Sequence, residues 1–151
     1  MFTICDENDE PVGYTGLQDI NYAHGNGVVF IYVKKELRKQ GLGIRAIALM
    51  LDLSFLQLRL HRVTTYVFAH NNPSLALIKR AGFTEEGRMR QACFFNGSFQ
   101  DLVVVGILKD EWSEPKRGLA QTLDTDTTAI FGHNNSTHWC WPPGMHSNSM
   151  T

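Results

Sequence analysis

No apolar run in this sequence approaches the roughly 20 residues that a bilayer-spanning helix requires, so no segment reads as one. The first ten residues carry Asp6, Glu7, Asp9 and Glu10, where a signal peptide would have a basic start and an apolar stretch. Neither sign of charge is in excess: 14 basic residues stand against 15 acidic ones, for a net charge of -1. A protein held to nucleic acid through phosphates is normally basic, so neither nucleic acid nor membrane is expected as a partner. Cysteine is scarce. Cys5, Cys93 and Cys140 are odd in number and far apart, which offers neither a disulfide framework nor a CxxC metal knuckle. A reducing cytoplasm is the expected compartment.

What is present fits one domain. The chain has 151 residues, 43% of them hydrophobic and 19% charged. A core of this size buries roughly 70% of the unfolded surface, and the composition is too apolar for disorder throughout. The pattern breaks near residue 114. Beyond it come Pro115, Gly118, a Thr/Asp cluster from Thr122 to Thr128, Asn134, Asn135 and the pair Pro142-Pro143. Such dense polar punctuation rarely packs. The expectation is a folded domain over 1–114 and a low-complexity, largely unfolded tail over 115–151. His133, His138, Cys140 and His146 lie in that tail with a spacing that fits no standard zinc site, so no metal is expected.

The opening reads as a hairpin: Phe2 and Ile4 precede Asn8-Asp9-Glu10-Pro11, and Val12, Tyr14 and Leu17 follow. Asn26–Val33 is a β-branched and aromatic run, hence a strand. A charged loop, 34–40, then leads to Gly41-Leu42-Gly43. The spacing of Ile44, Ile47, Leu51, Phe55 and Leu58 predicts a helix. Leu49, Leu53 and Leu56 widen its stripe and predict deep burial. Val63–Ala69 is the next strand. A short helix follows, with Asn72 as expected N-cap, Pro73 at the first helical position and Gly82 as the stop. Asn96-Gly97 between Phe94-Phe95 and Phe99 is a two-residue hairpin signal, and Leu102–Leu108 is the last strand. The order β-β-β-α-β-α-β-β gives an α/β (α+β) fold with a mixed sheet and two main helices.

Strand, basic glycine loop and buried helix form one physical device. Glycines let several N–H groups converge, and the helix start adds partial positive charge. Together they suit phosphate or pyrophosphate. The other reading is a glycine turn that merely enters a helix. Walker A fails, because no Gly-Lys-Ser/Thr follows. Gly41-x-Gly43-x-x-Ala46 matches the dinucleotide fingerprint on its face, but residues 53–84 hold no Asp or Glu for the ribose. An acyl-CoA site is the third option.

Arg38-x-x-Gly41-x-Gly43 ahead of an amphipathic helix resembles the signature of the GNAT superfamily of acetyl-CoA-dependent N-acetyltransferases. The wider match is more specific. Leu60-His61-Arg62-Val63, Asn71-x-x-Ser74, Gly82-Phe83, Glu86-Gly87, Asn96-Gly97, Asp101 and Leu108-Lys109-Asp110-Glu111-Trp112 follow in that family's order. The RimJ/RimL-like subgroup, near the spermidine N-acetyltransferases, is the most similar. The resemblance covers residues 2–112 and implies a mostly antiparallel sheet. It also implies that a strand and one or two helices shaping the acceptor pocket are missing from the front, leaving apolar surface that would favour a homodimer.

The resemblance further implies a division of labour. Ile31, Tyr32 and Val33 would offer backbone groups to pantetheine. The amides of Arg38, Lys39, Gln40, Gly41, Leu42, Gly43 and Ile44 would cradle the pyrophosphate. Asn71 would face the pantetheine arm, Ser74 would sit near the sulfur, and Lys79 or Arg80 near the adenosine 3′-phosphate. The implied reaction is direct attack of an amine, from a protein N-terminus or a small molecule, on the thioester, with an N–H of Ile31–Val33 at the oxyanion. Many members place a Tyr proton donor seven residues after the Asn, where this chain has Ile78. Ser74 is the candidate substitute, its other reading being a first-turn helix serine. The subgroup often has a carboxylate on the strand before the Asn-Gly turn, and the nearest position here is Cys93, or failing that Gln91. Asp19, His24 and Glu85 are the remaining base candidates. A non-catalytic acyl-CoA-binding module, or a truncated remnant of such an enzyme, is the alternative.

Overall fold

The computed structural model describes residues 1–6, 8–38 and 41–112. The expectations for the tail, including its histidines and Cys140, and those for Lys39 and Gln40 lie outside the described residues.

Six strands form one sheet. They are β1 (Phe2–Cys5), β2 (Pro11–Asn21), β3 (Asn26–Val33), β4 (Arg62–Phe68), β5 (Thr84–Phe95) and β6 (Ser98–Leu108), in the spatial order β1-β2-β3-β4-β6-β5. Only β3 and β4 are parallel; the other neighbours are antiparallel. The mixed sheet expected from the sequence is therefore present. The Asp6 carboxylate closes the first hairpin by accepting the N–H groups of Asn8 and Glu10 at 2.9 and 3.0 Å. Asn96 and Gly97, at φ 49° and 79°, close the last one between Phe95 and Ser98, as a type I′ turn requires.

Helix α1 (Leu42–Asp52) joins β3 to β4, and α2 (Asn72–Arg80) joins β4 to β5. Both pack on one face of the sheet. Ile47, Met50, Leu51 and Phe55 meet Val63, Val67, Val103, Val105 and Ile107, with Ile78, Ala81 and Phe83 from α2 and its exit in the same cluster. Strand alternation supplies the sheet's half of this core, since residues two apart share a face. The C-terminal end of β6 is pinned by Trp112, whose indole N–H donates to Asp52 Oδ1 at 2.8 Å. The opposite face exposes Tyr14, Tyr32, Tyr66 and Phe95.

Two expectations need correction. The α1 helix continues through a π-helical turn, Leu53–Gln57. Phe55 and Ser54 stay buried, but Leu56 is 46% exposed. The wider i→i+5 turn shifts the phase of the apolar stripe, so a strict 3.6-residue period assigns Leu56 to the wrong side. The N-cap of α2 is Asn71, not Asn72. Its side chain accepts the Ser74 N–H at 3.2 Å, and Pro73 follows in the first turn.

Candidate functional site

The parallel pair opens along its length. β3 and β4 share a register only at Asn26↔Arg62, Gly27↔Val63 and Val28↔Thr64. Beyond that point β3 continues against β2 as far as Gly13↔Val33, and β4 continues against β6 as far as Phe68↔Leu102. A split thus lies between 29–33 and 65–68, open toward the carboxyl ends of both strands. Crevices of this kind, outside the carboxyl ends of parallel strands, are where α/β sheets accept ligands. The N-terminus of α1 follows the end of β3, and that of α2 follows the end of β4, so both helix starts gather at the open end.

At the first of these ends the two glycines have different duties. Gly41 caps α1 with φ 80°, a left-handed conformation that costs other L-residues roughly 1–2 kcal/mol. Its carbonyl accepts the Arg45 N–H at 3.2 Å. An α-helix leaves its first N–H groups without intrahelical partners, here those of Leu42, Gly43 and Ile44. Gly43 lies against α2: a Cβ there would sit 3.1 Å from Leu77 Cδ2. It sets how closely the two helices approach, a duty the sequence pattern does not distinguish from a loop glycine.

Arg38 is exposed. Its Nε donates to the Val33 carbonyl at 3.0 Å, so that carbonyl already has a partner at the mouth of the split. The Val33 acceptor is therefore not one of the free backbone groups expected there. Ile31 and Val33 are half-buried and Tyr32 is exposed.

At the second end, Asn71 and Ser74 stand together. Asn71 Oδ1 is committed to capping α2, which leaves its NH2 group to donate. Ser74 is half-buried. Ile78 is a core residue at 4% exposure and offers no polar atom. Lys79 and Arg80 are exposed in the last turn of α2.

The base candidates do not converge. Asp19 and His24 flank the β2–β3 turn, beside Asn26, at the closed end of the split. Glu85, Gln91 and Cys93 lie on β5, separated from β4 by β6. The Cys93 thiol points at the Gln100 carbonyl, 3.7 Å away. Burial, followed by Asp9, Asp6 and Glu10, pushes the Cys5 thiol up, which disfavours a thiolate. His70 stacks on Phe95 at 5.7 Å. Among the described residues no group of three or more His, Cys, Asp or Glu is placed to hold a metal, and no helix is long and apolar enough to cross a membrane.

The open face has a feature without an obvious sequence signal. Arg62 on β4 and Glu86 on β5 form a bidentate ion pair across the intervening β6. It passes over Gly106, where a Cβ would lie 2.6 Å from the guanidinium and 2.8 Å from the carboxylate. Arg62 holds the Glu86 carboxyl below the usual carboxylate range.

The family profile for the acetyltransferase (GNAT) domain matches residues 1–104. The chain belongs to the GNAT acetyltransferase family. The chain is similar to a spermidine N(1)-acetyltransferase of Vibrio cholerae serotype O1. That protein is 31% identical over 111 residues, which cover 74% of this chain and 64% of that protein. The corresponding Escherichia coli K12 enzyme is 27% identical over 119 residues, 79% of this chain and 63% of that one. This GNAT chain thus spans under two thirds of the length of these relatives. Among solved structures, a V. cholerae spermidine N-acetyltransferase in complex with CoA and spermine superposes with a TM-score of 0.68 at 31% identity. The match covers 71% of this chain and 63% of that one. The dinucleotide reading of Gly41-x-Gly43-x-x-Ala46 falls with this assignment; Ala46 packs in the small core with Ile4 and Val12.

Proposed function

We propose that this chain is an acetyl-CoA-dependent N-acetyltransferase that acts on a primary amine, from a protein N-terminus or a small molecule. The observation that carries the reading is the split between β3 and β4, opening onto two helix N-termini, the first capped by Gly41 in a conformation suited to glycine. The donor set fits the ligand. A diphosphate suits the exposed amides and partial positive charge of a helix start, here those of Gly41, Leu42, Gly43 and Ile44. Arg38, Lys39 and Gln40 complete that loop in the proposal. The free edge at Ile31 would pair with amide groups of pantetheine, with Val33 contributing less because Arg38 holds its carbonyl, whereas the strand alternation set by the Lys34 N–H to Val12 bond turns the backbone groups of Tyr32 toward Tyr14 on β2. The Asn71 NH2 group would donate from the far side, and Lys79 would meet a phosphate at the exposed end of α2.

Acetyl-CoA supplies the activated acyl group as a thioester. The protein's part is to bind it, to place an N–H of the β3 edge where negative charge develops, and to hold a proton at the Ser74 hydroxyl for the departing sulfur. Ile78 offers no polar atom, and Ser74 stands in the first turn of α2. Among the described residues no side chain is placed as an evident base, which suits an α-amine with a pKa near ~8 better than an amine near ~10.4. Membership of the RimJ/RimL-like subgroup, self-association through the exposed Tyr14, Tyr32 and Tyr66 face, and absence of a metal requirement belong to the same proposal. For the similar V. cholerae spermidine N-acetyltransferase a dodecameric structure is known.

Thermal unfolding with and without acetyl-CoA tests this, with thiol release followed in the same samples. A ligand that binds only the folded state stabilises it by about 2.7 kcal/mol at a hundredfold excess over Kd. Absence of any stabilisation at millimolar acetyl-CoA overturns the reading. One observation favours a second reading, a non-catalytic acyl-CoA-binding module: Ile78 is sealed in the core where the family often has a proton donor. Stabilisation without thiol release, across peptides and polyamines, would select it.

A further inference from the structure

The β5 bulge lines an open, polar depression at the edge of the sheet. Between Met89 and Cys93 the register of β5 against β6 shifts. Gln91 adopts φ 50°, which few non-glycine residues do. The Gln91 N–H donates to Asp101 Oδ1 at 2.8 Å, and that bond holds the bulge. This depression is open to solvent and is lined by Arg88, Arg90, Gln91 and Asp101.

The charges in it do not cancel. Two guanidinium groups face one carboxylate, and that carboxylate is already engaged by the Gln91 amide. Asp101 and Arg88 are 4.0 Å apart, with side chains 33% and 51% exposed. So long and exposed a pair does little to neutralise Arg88. Arg90 has no ion-pair partner among the described residues. The depression therefore carries net positive charge, with planar donors of the geometry that grips a carboxylate.

Its place in the fold ties it to the split. The Asp101 carbonyl accepts the Ala69 N–H at 3.0 Å. Ala69 leads from the end of β4 to Asn71, the cap of α2. Asp101 thus lies beside the end of β4, with Arg88, Arg90 and Gln91 on β5, one strand further out.

We propose that this depression binds a carboxylate carried by the acceptor, so that the preferred substrate is an acidic, peptide-like amine rather than a polyamine. This rests on the acetyltransfer reading above and names its substrate class. A polyamine would bring its ammonium groups against Arg88 and Arg90, and like charges disfavour a wrong partner.

The test uses the full chain and three amines at low salt: a Gly-Glu-Glu peptide with a free α-amine, its Gly-Gln-Gln counterpart, and spermidine. Binding is followed by calorimetry, and transfer from acetyl-CoA by thiol release. Arg90→Gln and Arg90→Lys are made alongside; the side chain is exposed, and their melting temperatures check the fold. The expected result is binding of the Glu peptide about tenfold tighter than the Gln peptide, the effect of one charge-assisted hydrogen bond. Arg90→Gln erases the difference and Arg90→Lys retains part of it. Equal binding of the two peptides, a preference that survives Arg90→Gln, or faster transfer to spermidine than to the Glu peptide overturns the proposal. Thiol release with any amine but no acidic preference sinks this inference and spares the acetyltransfer reading. Arg90-dependent binding of the Glu peptide without thiol release from any amine keeps the carboxylate site and sinks the acetyltransfer reading, and with it the substrate assignment.

Discussion

Gly43 and Gly106 show how single residues fix this site's surroundings without contributing a functional group. Valine at position 43 would press a branched side chain against Leu77, whose Cδ2 already lies 3.1 Å from the nearest Cβ position. Overpacking of this sort costs about 1–3 kcal/mol. The start of α1 would move as well, so Gly43→Val is expected to lose stability in denaturant titration and to lose stabilisation by acetyl-CoA. Gly106→Ala meets the mobile ends of Arg62 and Glu86, so the ion pair gives way rather than the sheet. Both partners are about one third exposed, at 32% and 34%, and a pair so placed contributes under about 1 kcal/mol. Its signature is pH. The depressed Glu86 carboxyl stabilises the fold fully above the unfolded carboxylate pKa of about 4.3. That stability is lost as pH falls through the lower folded value. Glu86→Gln and Gly106→Ala should therefore each flatten the acid limb of the stability profile between neutral pH and pH ~3. An unchanged acid limb in both would show that the pair is idle in solution.

At the scale of elements, the end of α1 and the start of α2 carry the tests. The π turn places Phe55 at 2% exposure and Leu56 at 46%. Phe55→Ala should cost about 3–5 kcal/mol, whereas Leu56→Gln should change stability by less than about 0.5 kcal/mol. Comparable losses for the two would mean that the stripe runs through as an ordinary α-helix. Asn71→Ala removes the cap from α2, for about 0.5–2 kcal/mol. Asn71→Ser restores a capping oxygen without the NH2 group. If the proposed role of that group holds, the Ser variant regains stability in urea but not affinity for acetyl-CoA. Recovery of both together would reduce Asn71 to a cap. Ser74→Ala leaves the cap intact, because the Ser74 backbone N–H makes that bond. It should lower thiol release with little change in melting temperature.

For the whole molecule, the two faces of the sheet are unequal. One is sealed by α1 and α2 over a core that includes Val63, Val103 and Ile107 at 0% exposure. The other presents tyrosines at positions 14, 32 and 66, exposed by 36%, 44% and 48%. Exposed aromatic patches of this kind mark association surfaces. Light scattering across a concentration series should report self-association, and Tyr14→Glu, placed on that face and on β2 away from the split, should shift the protein toward monomer. A concentration-independent monomer would remove self-association from the proposed function.

The elements and their order can be read from local sequence patterns. Periodicity, Asn96-Gly97 and Gly82 act over a few residues, so the strands, the two helices and the last hairpin were legible, and Arg38-x-x-Gly41-x-Gly43 with Asn71-x-x-Ser74 carried the family. Only the tertiary structure decided what those residues touch. The separation of β3 from β4 after Val28 depends on which neighbour each strand follows, and no local pattern encodes that. The bond from Arg38 to Val33 needs the loop's actual course. The crossing of Arg62 and Glu86 over Gly106 needs the order β4-β6-β5, which inserts the last strand between its predecessors. Arg88, Arg90 and Asp101 meet because a bulge on one strand and the first half of the next are paired across a hairpin. Local chemistry acts within a turn or two of chain, whereas a binding site is assembled by contacts between residues far apart in it.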